Sequence, residues 1–283
     1  MSLRSLLFVP ANDTRRVEKA LSSEADAVVL DLEDAVAIRE KPAARERVVE
    51  TLCKPRQSLL YVRINDMGTQ FCYRDVVSIA RAGLDGILLP VVESAAQLQG
   101  FDWFLSQVEA DNDLPVNSID LIPYIETAKG LAAVNEIACY GKRIRQLAFG
   151  AGDFTTDMGI AWTHNESELG FARSSVAVAS RASGLEAPID TVWTGIRDME
   201  GFEASARLAA AAGFGGKMCI HPEQVRIANR VFAPSAEQIA NAERIIEAFA
   251  TAESAGSAAI LVDGRFVDYT IVEHARRVLD SVR

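Results

Sequence analysis

The chain has 283 residues, 49% of them hydrophobic, and its 29 Lys and Arg against 39 Asp and Glu leave a net charge of −10. That length buries a large core, enough for one α/β barrel of roughly 250 residues or for two smaller domains. The acidity argues against nucleic acid or an anionic membrane as a general partner, though it allows a local basic pocket.

In chain order, short β-branched or aliphatic runs recur at SLLFV (5–9), AVVLDL (27–32), LLYVRI (59–64), GILLPV (86–91), DLIPYIE (120–126), QLAFGAG (146–152), IDTVW (189–193) and GGKMCI (215–220). Between them lie RRVEKALSS, AARERVVETL, CYRDVVSIARAG, GLAAVNEIA and EASARLAAAAG, with apolar residues at the i, i+3, i+4 spacing of amphipathic helices. Eight strand-helix alternations with nearly all-apolar strands predict a parallel sheet covered on both faces, closed as a (β/α)8 TIM barrel of the α/β class. A doubly wound open sheet is the alternative, but no GxGxxG follows the first strand.

Past the eighth strand, Ala233-Pro234-Ser235 marks a break, with Ser235 a helix N-cap and Glu237 in the first turn of a long helix. AAILVDGRFVDYT then reads as a β-hairpin turning at Asp263-Gly264, and TIVEHARRVLDSV as a closing helix. We therefore expect a barrel over 1–232 and a C-terminal lid and oligomer-contact extension over 233–283. The cysteines Cys53, Cys72, Cys139 and Cys219 form no CxxC pair, which predicts buried, reduced thiols and a cytoplasmic protein. The N-terminus has too short an apolar core for a signal peptide, and no run approaches the roughly 20 residues of a membrane span. Trp103, Trp162 and Trp193 are expected in the core, His164 in a solvated loop and His274 on the surface, while His221 either binds substrate or serves the barrel end.

Barrel strands aim their C-terminal ends into the active-site mouth, and here those ends are polar. The second ends in Asp31, Glu33 and Asp34, the third in Arg63, Asn65 and Asp66, the fifth in Glu126 and Thr127, the sixth in Gly150, Gly152 and Asp153, and the eighth in His221. The strand beginnings show no comparable cluster. One such acid alone commonly caps a helix or joins a loop ion pair, as Asp34 would with Arg39, and Arg63 alone could be a paired core arginine. Several carboxylates in one confined pocket cannot all stay ionised without a counter-charge. A divalent cation resolves this, and hard oxygen donors with few histidines favour Mg2+ over zinc. Glu126 and Asp153 are the expected ligands, with Asp31, Glu33 and Asp34 accepting hydrogen bonds from metal-bound water.

The stretches RSLLFVPAND (4–13), DAVVLDLEDAV (26–36), KPAAR (41–45), YVRIND (61–66), DGILLPVVES (85–94), PYIETAKGL (123–131), FGAGDFTTDMG (149–159), GFGGKMCIHPEQV (213–225) and VDGRFVD (262–268) together resemble the citrate lyase beta subunit family. This belongs to the wider group of metal-dependent β/α-barrel carbon–carbon lyases that includes malyl-CoA and citramalyl-CoA lyases. The resemblance implies a TIM barrel with a C-terminal helical extension, in which Glu126 and Asp153 match the two metal-binding carboxylates. It implies that Arg63 contacts the substrate's carboxylate or thioester, and that Asp268 reaches the active site of a neighbouring subunit, so that the protein is a homotrimer or a multiple of it, such as a hexamer. The implied reaction is Mg2+-dependent cleavage of a 3-hydroxyacyl thioester of the citryl-, malyl- or citramalyl-CoA type to acetyl-CoA and a 2-oxo acid, with Asp268 exchanging the proton at the enolate carbon. Lys41 and Arg45 would meet coenzyme A phosphates or else be surface helix charges. An acyl carrier protein thioester, thioester hydrolysis after condensation, an aldolase acting on free pyruvate and a non-catalytic assembly subunit are the alternatives.

Overall fold

Eight parallel strands close in sequence order into a barrel: β1 (Ser5–Pro10), β2 (Ala27–Asp31), β3 (Leu59–Arg63), β4 (Gly86–Leu89), β5 (Asp120–Ile125), β6 (Ala148–Phe149), β7 (Ile189–Asp190) and β8 (Gly216–Cys219). The computed structural model describes residues 3–141 and 143–280. Pairing of Leu6 with Met218 and of Leu7 with Cys219 seals β1 to β8. The surrounding helices are α1 (Thr14–Leu21), α2 (Lys41–Leu52), α3 (Cys72–Ile79), α4 (Ala95–Asp111), α5 (Ala128–Ala132), α6 (Val134–Cys139), α7 (Ala151–Asp157), α8 (Gly170–Ala182), α9 (Met199–Ala211) and α10 (Pro222–Val231). The fold is the expected (β/α)8 barrel.

Alternate strand residues, Leu6, Ala27, Val29, Tyr61, Leu88, Ile122, Tyr124, Ala148, Ile189 and Met218, form one buried cluster. Their neighbours Leu7, Val28, Leu60, Val62, Ile87 and Leu121 are buried as well, on the side facing the helices. Burial on both faces is why the strands read as continuous apolar runs.

Apart from β1, which runs one residue further to Pro10, the strands are shorter than the runs suggest, because the ladder ends before the apolar character does. Single hydrogen bonds carry on past the strand ends, as from Leu32 N–H to Arg63 O at 2.9 Å and from Gly150 N–H to Ile125 O at 3.0 Å. The largest correction is at QLAFGAG: only Ala148 and Phe149 are strand, and Gly150 is already the N-cap of α7. GLAAVNEIA is likewise two short helices, α5 and α6, meeting at Ala133. Cys72 and Cys219 are buried thiols, but Cys53 and Cys139 are exposed. Trp193 is buried while Trp103 is 67% exposed, since it sits on the outer face of α4.

The chain divides into two compact units, Met1–Arg230 and Val231–Arg283. The second holds α11 (Ala236–Ser254), the hairpin β9 (Ile260–Val262) and β10 (Arg265–Val267), and α12 (Tyr269–Asp280). Ser235 caps α11 in a capping box with Gln238. Asp263 and Gly264 have φ of 49° and 74°, the positive pair a type I′ turn needs. Phe249, Val267 and Val272 are its small core. The end of the expected last helix, Ser281 and Val282, lies outside the described residues. Among the described residues no helix is long and apolar enough to cross a membrane.

Candidate active site

The mouth of the barrel is organised around one arginine. Arg63, at the end of β3, pairs in register with Asp31 at the end of β2. Its Nε donates to Asp31 Oδ1 at 2.9 Å and its Nη2 to Asp31 Oδ2 at 2.6 Å, the bidentate fork that suits a guanidinium to a carboxylate. Nη1 lies 3.0 Å from Glu33 Oε2 and 3.3 Å from Asp34 Oδ2. Phe8, on β1, lies under the guanidinium with its centroid 5.6 Å away. Asp34 therefore pairs with Arg63 and not with Arg39, which meets Glu40 instead.

Asp31 also shapes the loop that carries the other acids. Its Oδ1 accepts from Glu33 N–H at 2.9 Å and its Oδ2 from Ala35 N–H at 3.3 Å. Lys41 holds the loop from the opposite side: Nζ donates to Leu32 O at 2.7 Å, Glu33 O at 2.9 Å and Asn65 Oδ1 at 2.6 Å. Burial lowers the Lys41 pKa, partly offset by Asp75 and the nearby mouth acids. Asn65 is fixed in turn by Asp75, whose Oδ2 accepts from both its N–H and its Nδ2. Lys41 and Arg45 are both buried, so neither is a surface helix charge. Lys41 spends all three donors inside the fold and has none left for a coenzyme A phosphate.

Glu126 follows β5 and is 2% exposed. Its Oε1 accepts from Val91 N–H at 2.8 Å, while Oε2 is buried with no hydrogen-bond partner. Val91 has φ of 52°, a costly backbone position for a β-branched residue, and that geometry presents its N–H to the carboxylate. Burial, reinforced by Glu33 and Asp153, drives the Glu126 pKa well above its ordinary value. Glu33 is likewise pushed up to about 8, first by burial, against the pull of Arg63. Tyr124, from the same strand, donates its hydroxyl to Met218 Sδ at 3.2 Å, and burial beside Glu126 raises its pKa well above the usual tyrosine range. Asp153 is exposed in the first turn of α7, yet its field is among those acting on Glu126 and Glu33.

This is an electrostatically unfinished site: several carboxylates, one arginine, and a buried acceptor oxygen with nothing to accept from. All its donor atoms are hard oxygens. Among the described residues no three His, Cys, Asp or Glu groups converge into a self-contained metal cage. A Mg2+ ion needs none, because one or two protein carboxylates suffice when water and substrate complete its shell. The residues fit that ion.

A model of the family described as HpcH/HpaI aldolase/citrate lyase matches residues 4–222. The chain belongs to this family. It is 37% identical to a citrate lyase subunit beta of Leuconostoc mesenteroides subsp. cremoris, over 98% of this chain and 92% of that one. It is 35% identical to an L-malyl-CoA/beta-methylmalyl-CoA lyase of Rhodobacter capsulatus, over 98% and 93% of the two chains. The CitE protein of Mycobacterium tuberculosis, solved with magnesium, acetoacetate and coenzyme A, superposes with a TM-score of 0.80 at 32% identity, covering 99% of this chain and 98% of that one.

Within this family member, the expected mouth residues Asp31, Glu33, Asp34 and Arg63 are in direct contact, and Glu126 and Asp153 are joined to them electrostatically. Asp268 belongs to the second unit, where its Oδ1 accepts from Ile271 N–H at 3.1 Å and caps α12. Asp66 is a turn residue, accepting from Gly68 N–H at 3.1 Å. His164 is solvated as expected and meets Asp198 at 3.1 Å. The strand beginnings carry charge as well, but in separate ion pairs. Arg4 pairs with Asp26, Arg56 with Asp85 and Arg145 with Asp120. There Arg4 and Arg56 each meet one acid and Arg145 meets two, Asp120 and Glu186, whereas at the mouth Arg63 is shared by three. The sequence reading missed Val91, Asp75 and the tether role of Lys41. KPAAR had marked Lys41, but no local pattern pointed to the other two.

Proposed function

We propose that this chain is a Mg2+-dependent carbon–carbon lyase that cleaves a 3-hydroxyacyl-CoA thioester, of citryl, malyl or citramalyl type, to acetyl-CoA and a 2-oxo acid. The observation that carries the reading is the buried, unpartnered Oε2 of Glu126 among like-charged carboxylates that share one arginine. Family membership and the coenzyme A and magnesium named for its relatives support it.

In this reading Glu126 and Asp153 would hold the ion, and Asp31, Glu33 and Asp34 would accept hydrogen bonds from its water. When bound, the ion neutralises the substrate's oxygens and acidifies its hydroxyl. Arg63, already oriented by Asp31, stabilises anionic oxygen on the substrate through charge-assisted hydrogen bonds. A carboxylate of the mouth takes the proton of the hydroxyl, the carbonyl of the oxo acid forms as the carbon–carbon bond breaks, and the electron pair of that bond passes to the enolate of the acetyl thioester. Asp268 of a neighbouring subunit then protonates that carbon, and removes the proton again in the condensation direction. Residues 1–232 form the catalytic domain, residues 233–283 act as lid and oligomer contact, and the enzyme is a cytoplasmic homotrimer or hexamer.

A second reading follows from the citrate lyase subunit relative: the chain takes its acyl group from an acyl carrier protein within a larger complex. One assay separates the two. The purified chain is given citryl-, malyl- and citramalyl-CoA with Mg2+, and acetyl-CoA and oxo acid are followed, with EDTA and Glu126→Ala as controls. Metal-dependent cleavage of one thioester establishes a stand-alone lyase and names its substrate. No turnover with Mg2+ demonstrably bound overturns that reading and points to the carrier-dependent one or to another substrate.

A further inference from the structure

Outside the barrel, α2 and α3 border a cleft of about 480 Å3 lined by Arg45, Arg74 and Arg81, with Glu46 and Tyr73 among its other walls. In a chain of net charge −10 this is a local reversal of sign. Arg81 donates Nε to Ser78 O at 2.8 Å, and among the described residues neither Arg74 nor Arg81 has a carboxylate partner.

Arg45 makes the cleft more than a patch of surface arginines. It is 7% exposed, and its Nε donates to the fully buried Asp75 at 2.6 Å. Both Asp75 oxygens are engaged, the second by Asn65, while Arg45 Nη2 is buried without any partner. An orphaned guanidinium N–H is costly, and folded proteins normally satisfy such a group with an acceptor, a water or an ion.

We propose that this cleft binds a phosphoryl anion, at a site on the outer wall of the barrel separate from the carboxylate mouth. The planar guanidinium presents paired N–H donors that match the oxygens of a phosphate group, and three of them exceed the charge of Glu46 and Asp75. Arg45 is also the outer end of a buried chain of hydrogen bonds. It leads through Asp75 and Asn65 to Lys41, which grips the Glu33 loop. An anion in the cleft thus touches the element that positions the mouth acids.

The test is calorimetric titration of the full chain with inorganic pyrophosphate, with EDTA present to keep metal out of the mouth. The expected result is binding that weakens at least tenfold in the Arg74→Gln/Arg81→Gln double variant and is unchanged in Glu126→Gln. Both altered arginines lie on the surface, and an unchanged melting temperature checks the fold of the double variant. Titrating coenzyme A in parallel identifies the natural source. Loss of pyrophosphate affinity alone assigns a free phosphate ester, and loss of both assigns the cofactor's own diphosphate. Pyrophosphate affinity that is unaltered in the double variant, or absent at millimolar concentration in the parent, overturns the proposal.

Discussion

Gly150 lies against Glu126 so closely that a Cβ at residue 150 would come within 2.7 Å of both the Cβ and the Oε2 of the glutamate. The glycine is required by that approach, not by its backbone, whose φ of −113° any residue adopts. Gly150→Ala is expected to displace the Glu126 carboxylate and to weaken Mg2+ binding by roughly 10- to 100-fold, the usual effect of disturbing a ligand's support. Overpacking should cost about 1–3 kcal/mol of stability. Titration with Mg2+ beside a denaturation curve reads both. Parental Mg2+ affinity in the variant would remove Glu126 from the metal site.

The crowded carboxylates make the metal-free protein sensitive to pH in a definite direction. Glu33 titrates near 8, and Glu126 is also raised, so the folded state holds protons that the unfolded chain has released. Stability from these groups is fully present below the ordinary glutamate pKa and is lost as pH rises through about 8. Each group contributes at most about 1.4 kcal/mol per pH unit. The melting temperature in EDTA should therefore fall between pH 5 and pH 8, roughly the interval between the unfolded and folded values. Saturating Mg2+ should flatten the fall, and its apparent affinity should rise with pH as protons are displaced. Melting curves in EDTA that rise over this interval would contradict the assignment.

Among the described residues Arg63 is the only cation paired with the carboxylates of Asp31, Glu33 and Asp34. Arg63→Met leaves Asp31 buried without its partner and should cost about 3 kcal/mol, in the range seen when one member of a buried pair is removed. Arg63→Lys keeps the charge but not the fork, so it should recover part of the stability while cleavage stays impaired. Urea denaturation and turnover measured on both variants separate the structural share from the catalytic one. Full activity in Arg63→Lys would show that a point charge is enough.

The barrel was legible because its signal is periodic and repeated: eight apolar runs, each bounded by an amphipathic helix, leave few other ways to bury both faces of the sheet. Asp31, Glu33, Arg63 and Glu126 were legible for a related reason, since strand ends converge at one rim. What escaped depends on contacts between distant segments. Val91 matters only because its strained backbone aims an N–H at Glu126, 35 residues on. Lys41 read as a coenzyme A contact or a helix charge because its three acceptors come from segments outside its own helix. QLAFGAG read as a long strand because the pressure of Glu126 on Gly150 and the early start of α7 are tertiary facts.

Asp268 has a visible role, capping α12, and a proposed one, proton transfer to the enolate carbon in a neighbour's site. The two separate by substitution. Asn caps a helix about as well as Asp does, so Asp268→Asn should leave the melting temperature nearly unchanged, whereas Asp268→Ala should lose about 1 kcal/mol. Both remove the acid and should lower kcat by roughly 100-fold or more, with little change in Mg2+ affinity. Mixing refolded Asp268→Asn and Glu126→Gln chains then asks whose site Asp268 serves. Hybrid oligomers would contain sites with an intact Glu126 from one chain and an intact Asp268 from its neighbour, so activity should return on mixing. If hybrids form and remain as inactive as either parent, Asp268 acts within its own chain or not at all.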